Sequence, residues 1–121
     1  MSETNLRKSG DIIGRPVCDA EGARLGTIRE LVLDAQRGEA RFVIVEAGGL
    51  FGGGGKFHPL PWRLLRFDPG QEGFSMDVTK ERLKHSPAYD REQLASGSYA
   101  WGEQAERYFA EPDTAAPTSL A

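Results

Sequence analysis

The chain is poor in cysteine, histidine and long apolar runs. Its 121 residues hold one cysteine, Cys18, and two histidines, His58 and His85. A lone thiol excludes an internal disulfide, and with no second cysteine nearby it cannot begin a zinc site of the paired-cysteine kind. Cys18 therefore reads as a strand residue. Neither histidine has a partner at a recognised metal spacing, such as a second His four residues on or a flanking Cys, so both read as structural or solvated and no metal is expected. No apolar run is long enough to cross a bilayer. The opening MSETNLRKSG lacks the apolar central region of a secretory signal, which makes the cytoplasm the expected location. A Gly-x-Ser-x-Gly elbow is missing, and no nucleophile meets a histidine and a carboxylate in a nameable motif, so an enzyme is not expected. The net charge of −3 speaks against general affinity for nucleic acid, which needs a basic excess on at least one face.

Glycine, by contrast, is concentrated. Six of the chain's 15 glycines lie between positions 48 and 55, in GGLFGGGG, and run into Lys56, His58, Pro59 and Pro61. A phosphate loop needs a glycine five residues before its Gly-Lys pair and a Ser or Thr after it; Leu50 and Phe57 occupy those positions here. A dinucleotide loop needs a following helix, which Pro59 and Pro61 forbid. No cofactor is expected. Glycines at positive φ instead allow a wide, flexible hairpin between two strands. Leu50 and Phe51 stand at its tip, either folded back over the open end of a barrel or protruding as an apolar partner contact.

From Asp11 to Thr79 the chain reads as short strands parted by turn signals, a spacing suited to a small all-β barrel or sandwich. DIIGRPV ends in the turn Asp19 to Gly22. ARLGTIRELVLDA is long for a strand, and Gly26 marks a bulge or bend within it. A turn from Asp34 to Gly38 leads into ARFVIVEA, whose consecutive Phe42, Val43, Ile44 and Val45 predict a strand covered on both faces. In GFSMDVT, Phe74, Met76 and Val78 alternate with polar residues, the two-residue period of a strand with one wet face. After Thr79 the period changes. Thr79 caps a short helix that Pro87 stops, Asp90 and Gln93 form a capping-box pattern, and Trp101, Ala105 and Tyr108 share one face of a helix running to about Ala110, with Phe109 beside them. The expected organisation is a loose tail over 1–10, a barrel over 11–86, a helical extension over 87–110 and a disordered tail over 111–121.

Two groups of side chains are candidate contacts. Arg24, Arg29, Arg41, Arg63 and Arg66 fall one or two per strand, so that one basic barrel face would bind RNA or an acidic protein. Trp101, Tyr108 and Phe109 suit a helix packed across a barrel end, and together with Leu50 and Phe51 they are also candidate partner contacts.

In order, Ile13-Gly14, Val17, Asp19, Gly22, Leu25-Gly26, Asp34, Gly38, the Phe42 to Val45 strand, the glycine loop, Leu60-Pro61-Trp62 and Asp77-Val78-Thr79-Lys80 resemble the PRC-barrel domain over roughly residues 11 to 83. That family includes the cytoplasmic domain of the photosynthetic reaction centre H subunit. The resemblance implies a mainly β fold, a small, strongly bent antiparallel β-barrel, here followed by short C-terminal helices. It implies no shared catalytic residue. Family members cap the reaction centre, form the C-terminal domain of a ribosome maturation factor, or stand alone in bacteria. No membrane-spanning helix or second β domain precedes the barrel here, so a stand-alone member is expected. The implied function is a non-enzymatic interaction module, a homodimer with an unidentified protein partner. The alternatives are an RNA- or ribosome-associated factor, and an accessory to photosynthetic electron transfer that meets the membrane only through a partner.

Overall fold

The computed structural model describes residues 5–47, 56–95 and 99–110. Helix α1 (Ser9–Ile12) precedes β1 (Pro16–Cys18), β2 (Arg24–Asp34) and β3 (Glu39–Ala47). β4 (Phe57–Pro61) leads through a single 3-10 turn, Trp62–Leu64, into β5 (Leu65–Asp68) and β6 (Gly73–Met76). Helices α2 (Lys80–Lys84), α3 (Arg91–Ala95) and α4 (Ala100–Ala110) follow. The strands make one sheet in the order β4-β3-β2-β1-β6-β5, curled into a half-barrel. Neighbours are antiparallel except β1 and β6, which run parallel. The mainly β fold with short C-terminal helices is thus the one observed.

Short polar side chains fix the turns. Asp19 Oδ1 accepts from the Glu21 and Ala23 amides, and Asp34 Oδ1 accepts from those of Gln36 and Arg37. Each carboxylate thereby occupies backbone donors that the strands leave behind. Gly22 and Gly38 close these two turns at positive φ. Thr79 caps α2 by accepting from the Arg82 amide. Asp90 and Gln93 exchange side-chain-to-backbone hydrogen bonds at 2.8 Å, which completes the capping box ahead of α3.

β3 carries apolar residues on both faces because both are covered. Val43 and Val45 join Val17, Ile28, Leu60 and Met76 in the core inside the curl. Phe42 and Ile44 point the other way, into a second cluster with Phe57, Trp101 and Ala105. Burying each of these larger side chains contributes about 1.5–3 kcal/mol. Gly26 is required where β2 closely approaches its neighbour β3, opposite Ala47: a Cβ there would stand 2.5 Å from Val45 Cγ1 and 2.7 Å from the Glu46 carbonyl oxygen. The β1–β2 register shifts beside it, between Val17 and Cys18.

The amino-terminal stretch corrects the expectation of a loose tail to residue 10. Arg7 makes paired hydrogen bonds to Glu72 at 3.0 and 2.7 Å, and its guanidinium lies 4.9 Å from the Phe67 ring centroid. This pairing holds the Glu72 carboxyl below its usual range, and Ile12 of α1 packs on the inner core. One bidentate ion pair therefore ties the segment ahead of β1 to the β5–β6 turn, and Ile12 anchors it to the inner core.

Candidate docking groove

Helix α4 runs from the outer face of the sheet, where Trp101 and Ala105 pack, along the edge strand β4 to the inner core, where Phe109 packs. Trp101 is only 5% exposed, and its ring meets Phe42 edge-on at a centroid distance of 5.5 Å. Gly102 makes the approach possible, since a Cβ there would come within 3.3 Å of the same Phe42 ring. At the far end of α4 the Tyr108 hydroxyl donates to the Arg82 carbonyl, and the Arg82 guanidinium donates to the Tyr108 carbonyl. Phe109 packs on the inner core, while Arg63 reaches Glu106 at 2.8 Å.

Among the described residues the helices leave part of the outer face uncovered. Between β2, β3, α3 and the start of α4 lies a half-open groove of about 1220 Å³. Its floor is apolar, with Val32, Phe42, Ile44, Phe57, Leu94 and Trp101 among its lining residues. Among the described residues the buried Trp101 Nε1 has no hydrogen-bond partner, and the ring is held by apolar contact. Two large apolar side chains stand out at the groove, Leu33 at 60% exposure and Tyr99 at 58%. Tyr99 also holds φ at +56°, a conformation that side chains with a Cβ adopt at a cost.

Charge at the groove is unevenly committed. Arg29 donates to Glu46 at 2.8 Å, Arg41 lies 3.8 Å from Asp34, and the Arg91 guanidinium stacks 5.3 Å from the Phe57 ring centroid. The exposed carboxylates Glu30, Glu92 and Glu103 make no hydrogen bond or ion pair among the described residues. With Arg29 and Arg41 paired to carboxylates, Arg91 keeps its charge against three open carboxylates, so the unpaired charge at this groove is negative on balance.

These positions revise the candidate contacts. The five arginines do not form one free basic face: Arg29, Arg41 and Arg63 are engaged by carboxylates, Arg24 donates to Thr27, and Arg66 sits on β5, the edge strand opposite β4 in the sheet order. Sheet surfaces that alternate arginine with Glu and Asp neutralise their own cations across neighbouring strands. Trp101, Tyr108 and Phe109 are spent on seating α4, because their spacing faces the sheet and α2. Leu50 and Phe51 lie outside the described residues. The sequence reading did not single out Leu33, Leu94 or Tyr99. The signal for Leu33 was the apolar run Leu31-Val32-Leu33, longer than a strand with one wet face needs.

Below the groove a polar node fastens the start of the helical extension to β4. Buried Ser86 donates its hydroxyl to the Leu83 carbonyl at 2.7 Å, which leaves its oxygen to accept from His58 Nδ1–H at 2.9 Å. Burial pushes the His58 imidazole below its ordinary range, against the opposing pull of the Pro87 carbonyl. Tyr89 and Phe57 then exchange backbone hydrogen bonds at 2.9 Å. Among the described residues no group of three or more His, Cys, Asp or Glu side chains is placed to hold a metal ion, and no helix is long and apolar enough to cross a membrane.

Comparison with curated proteins gives no match. The family model for the PRC-barrel domain matches residues 5–83, from the Arg7 anchor through α2, and so takes in every strand of the curled sheet. With more than half of its length matched on this fold, the chain belongs to the PRC-barrel domain family.

Proposed function

We propose that this protein is a non-enzymatic protein-interaction module whose docking site is the groove between the outer sheet face and the C-terminal helices. The observation that carries the reading is a pair of exposed apolar side chains, Leu33 and Tyr99, standing at a groove whose apolar floor is itself largely buried. A soluble domain gains by burying such surface, and contiguous apolar patches mark contact sites. Tyr99 adds weight, because a large aromatic with its ring on Trp101 is held at positive φ and yet stays 58% exposed. The arginines found in ion pairs favour this reading over RNA binding, since a paired cation has less to gain from a phosphate.

The test is affinity capture from native lysate with the wild-type chain and a Leu33→Ser/Tyr99→Ser double variant. Both changes are at exposed positions, so the fold is kept. A protein held by the wild type at high salt and lost by the variant is expected. Capture of the same protein by both would place docking elsewhere. Light scattering on the two samples reads self-association through the same surface, since a dimeric wild type and a monomeric variant would make the partner a second copy.

A further inference from the structure

We infer that the groove takes a cationic amphipathic helix: a segment with apolar residues on one face, flanked by Lys and Arg. This inference rests on the groove being the docking site and adds the chemistry of the occupant. Size is the first argument. At about 1220 Å³ and half open, the groove exceeds the roughly 300–1,000 Å³ of small-ligand pockets and suits several side chains presented together.

Backbone geometry is the second argument. A peptide could pair with a sheet edge instead, but the edge strand at this end is β4, where Pro59 and Pro61 have no N–H to offer. Phe57 is already paired with Tyr89 at that edge. A ligand approaching here thus meets the sheet through its face, and an α-helix satisfies its own backbone while offering an apolar stripe.

Charge decides the sign. Arg29 and Arg41 are paired with Glu46 and Asp34, and Arg91, stacked near the Phe57 ring, keeps its charge. Against it stand Glu30, Glu92 and Glu103, exposed and unpaired among the described residues, so the balance is negative. They sit on β2, α3 and α4, so the open carboxylates come from three different elements lining the groove. A cationic helix gains from all three, and an acidic one is repelled by all three. A second copy of this chain, at net charge −3, gains less.

The experiment uses the full chain and labelled peptides of roughly four helical turns: leucines on one face, flanked in one peptide by Lys and in its twin by Glu. Fluorescence polarisation is read at low and high salt. The expected result is binding of the Lys peptide about tenfold tighter than of the Glu peptide, since several exposed charge pairs change sign together, with the difference shrinking at high salt. The triple variant Glu30→Lys/Glu92→Lys/Glu103→Lys, altered only at exposed positions, should reverse the preference. Equal binding of both peptides, lost in Leu33→Ser/Tyr99→Ser, would overturn the cationic inference and keep the groove as docking site. Lys-peptide binding unchanged in either variant would overturn both readings. If neither peptide binds, the inference fails, and a dimer dissolved by Leu33→Ser/Tyr99→Ser would assign the groove to a second copy.

Discussion

Single atoms decide two features of this fold. At Gly26 the absent Cβ lets β2 closely approach β3, and the nearest obstacles to one are a valine methyl and a backbone carbonyl that cannot rotate away. Gly26→Ala is therefore expected to destabilise by roughly 2 kcal/mol, seen as a fall in melting temperature of about 8 °C. An unchanged melting temperature would mean that the approach is looser than described. His58 makes a second, pH-dependent statement. Burial holds its folded-state pKa below the ordinary value, so above about pH 6.5 the ring is neutral in both folded and unfolded chains and contributes no pH dependence. Below that pH the unfolded chain binds a proton that the folded one resists, and stability falls as pH drops toward the folded-state pKa. Urea midpoints for the wild type should fall more between pH 7.5 and 5.5 than those for His58→Gln, whose amide can still donate to Ser86. Parallel curves would remove His58 as the cause.

Helix α4 shows what an element needs beyond its own periodicity. Its helical spacing was legible, since Trp101, Ala105 and Tyr108 fall on one face, and the structure has a helix over Ala100–Ala110. The caps at Thr79 and Asp90 were equally legible, because they depend on residues only three positions apart. So was the double-sided burial of Phe42 to Val45. The surface against which α4 packs was not, since its closeness to Phe42 rests on a contact between residues far apart in sequence. Nor could strand-by-strand counting of arginines show that Glu46, Asp34 and Glu106 would face them. The groove is the space left between such long-range contacts, and no local pattern encodes it. The seating of α4 makes a further prediction. Trp101→Ala removes a buried ring and should cost about 3 kcal/mol in chemical denaturation. Trp101→Phe keeps an aromatic against Phe42 and deletes an indole N–H that has no partner among the described residues, so it should cost less than about 1.5 kcal/mol. Equal losses would indicate that the N–H is satisfied.

At the scale of the whole molecule, the sheet is shared by two apolar clusters, one inside the curl and one outside it. The inner cluster joins β1, β2, β3, β4 and β6 with α2, all within the family match, whereas the outer one depends on a helix beyond it. Its helical side is thin: α3 spans Arg91–Ala95, and beside the Ser86–His58 hydrogen bond and the Phe57–Tyr89 bridge, α4 is tied down by Trp101 on Phe42, Phe109 on the inner core, Arg63–Glu106 and the Tyr108–Arg82 bonds. Elements held by fewer long-range contacts open at lower free energy than the strands beneath them. Native-state hydrogen exchange should accordingly find the α4 amides exchanging through a smaller opening than those of β3. Ala105→Asp, which places a carboxylate in the fully buried centre of the outer cluster, should widen that gap by a few kcal/mol, with β3 still protected and apolar-dye binding increased at the bared Phe42 and Ile44. If α4 and β3 instead lose protection together, the helical cover and the barrel form one cooperative unit. The groove would then be a fixed feature of the folded state, and a partner would meet it already formed.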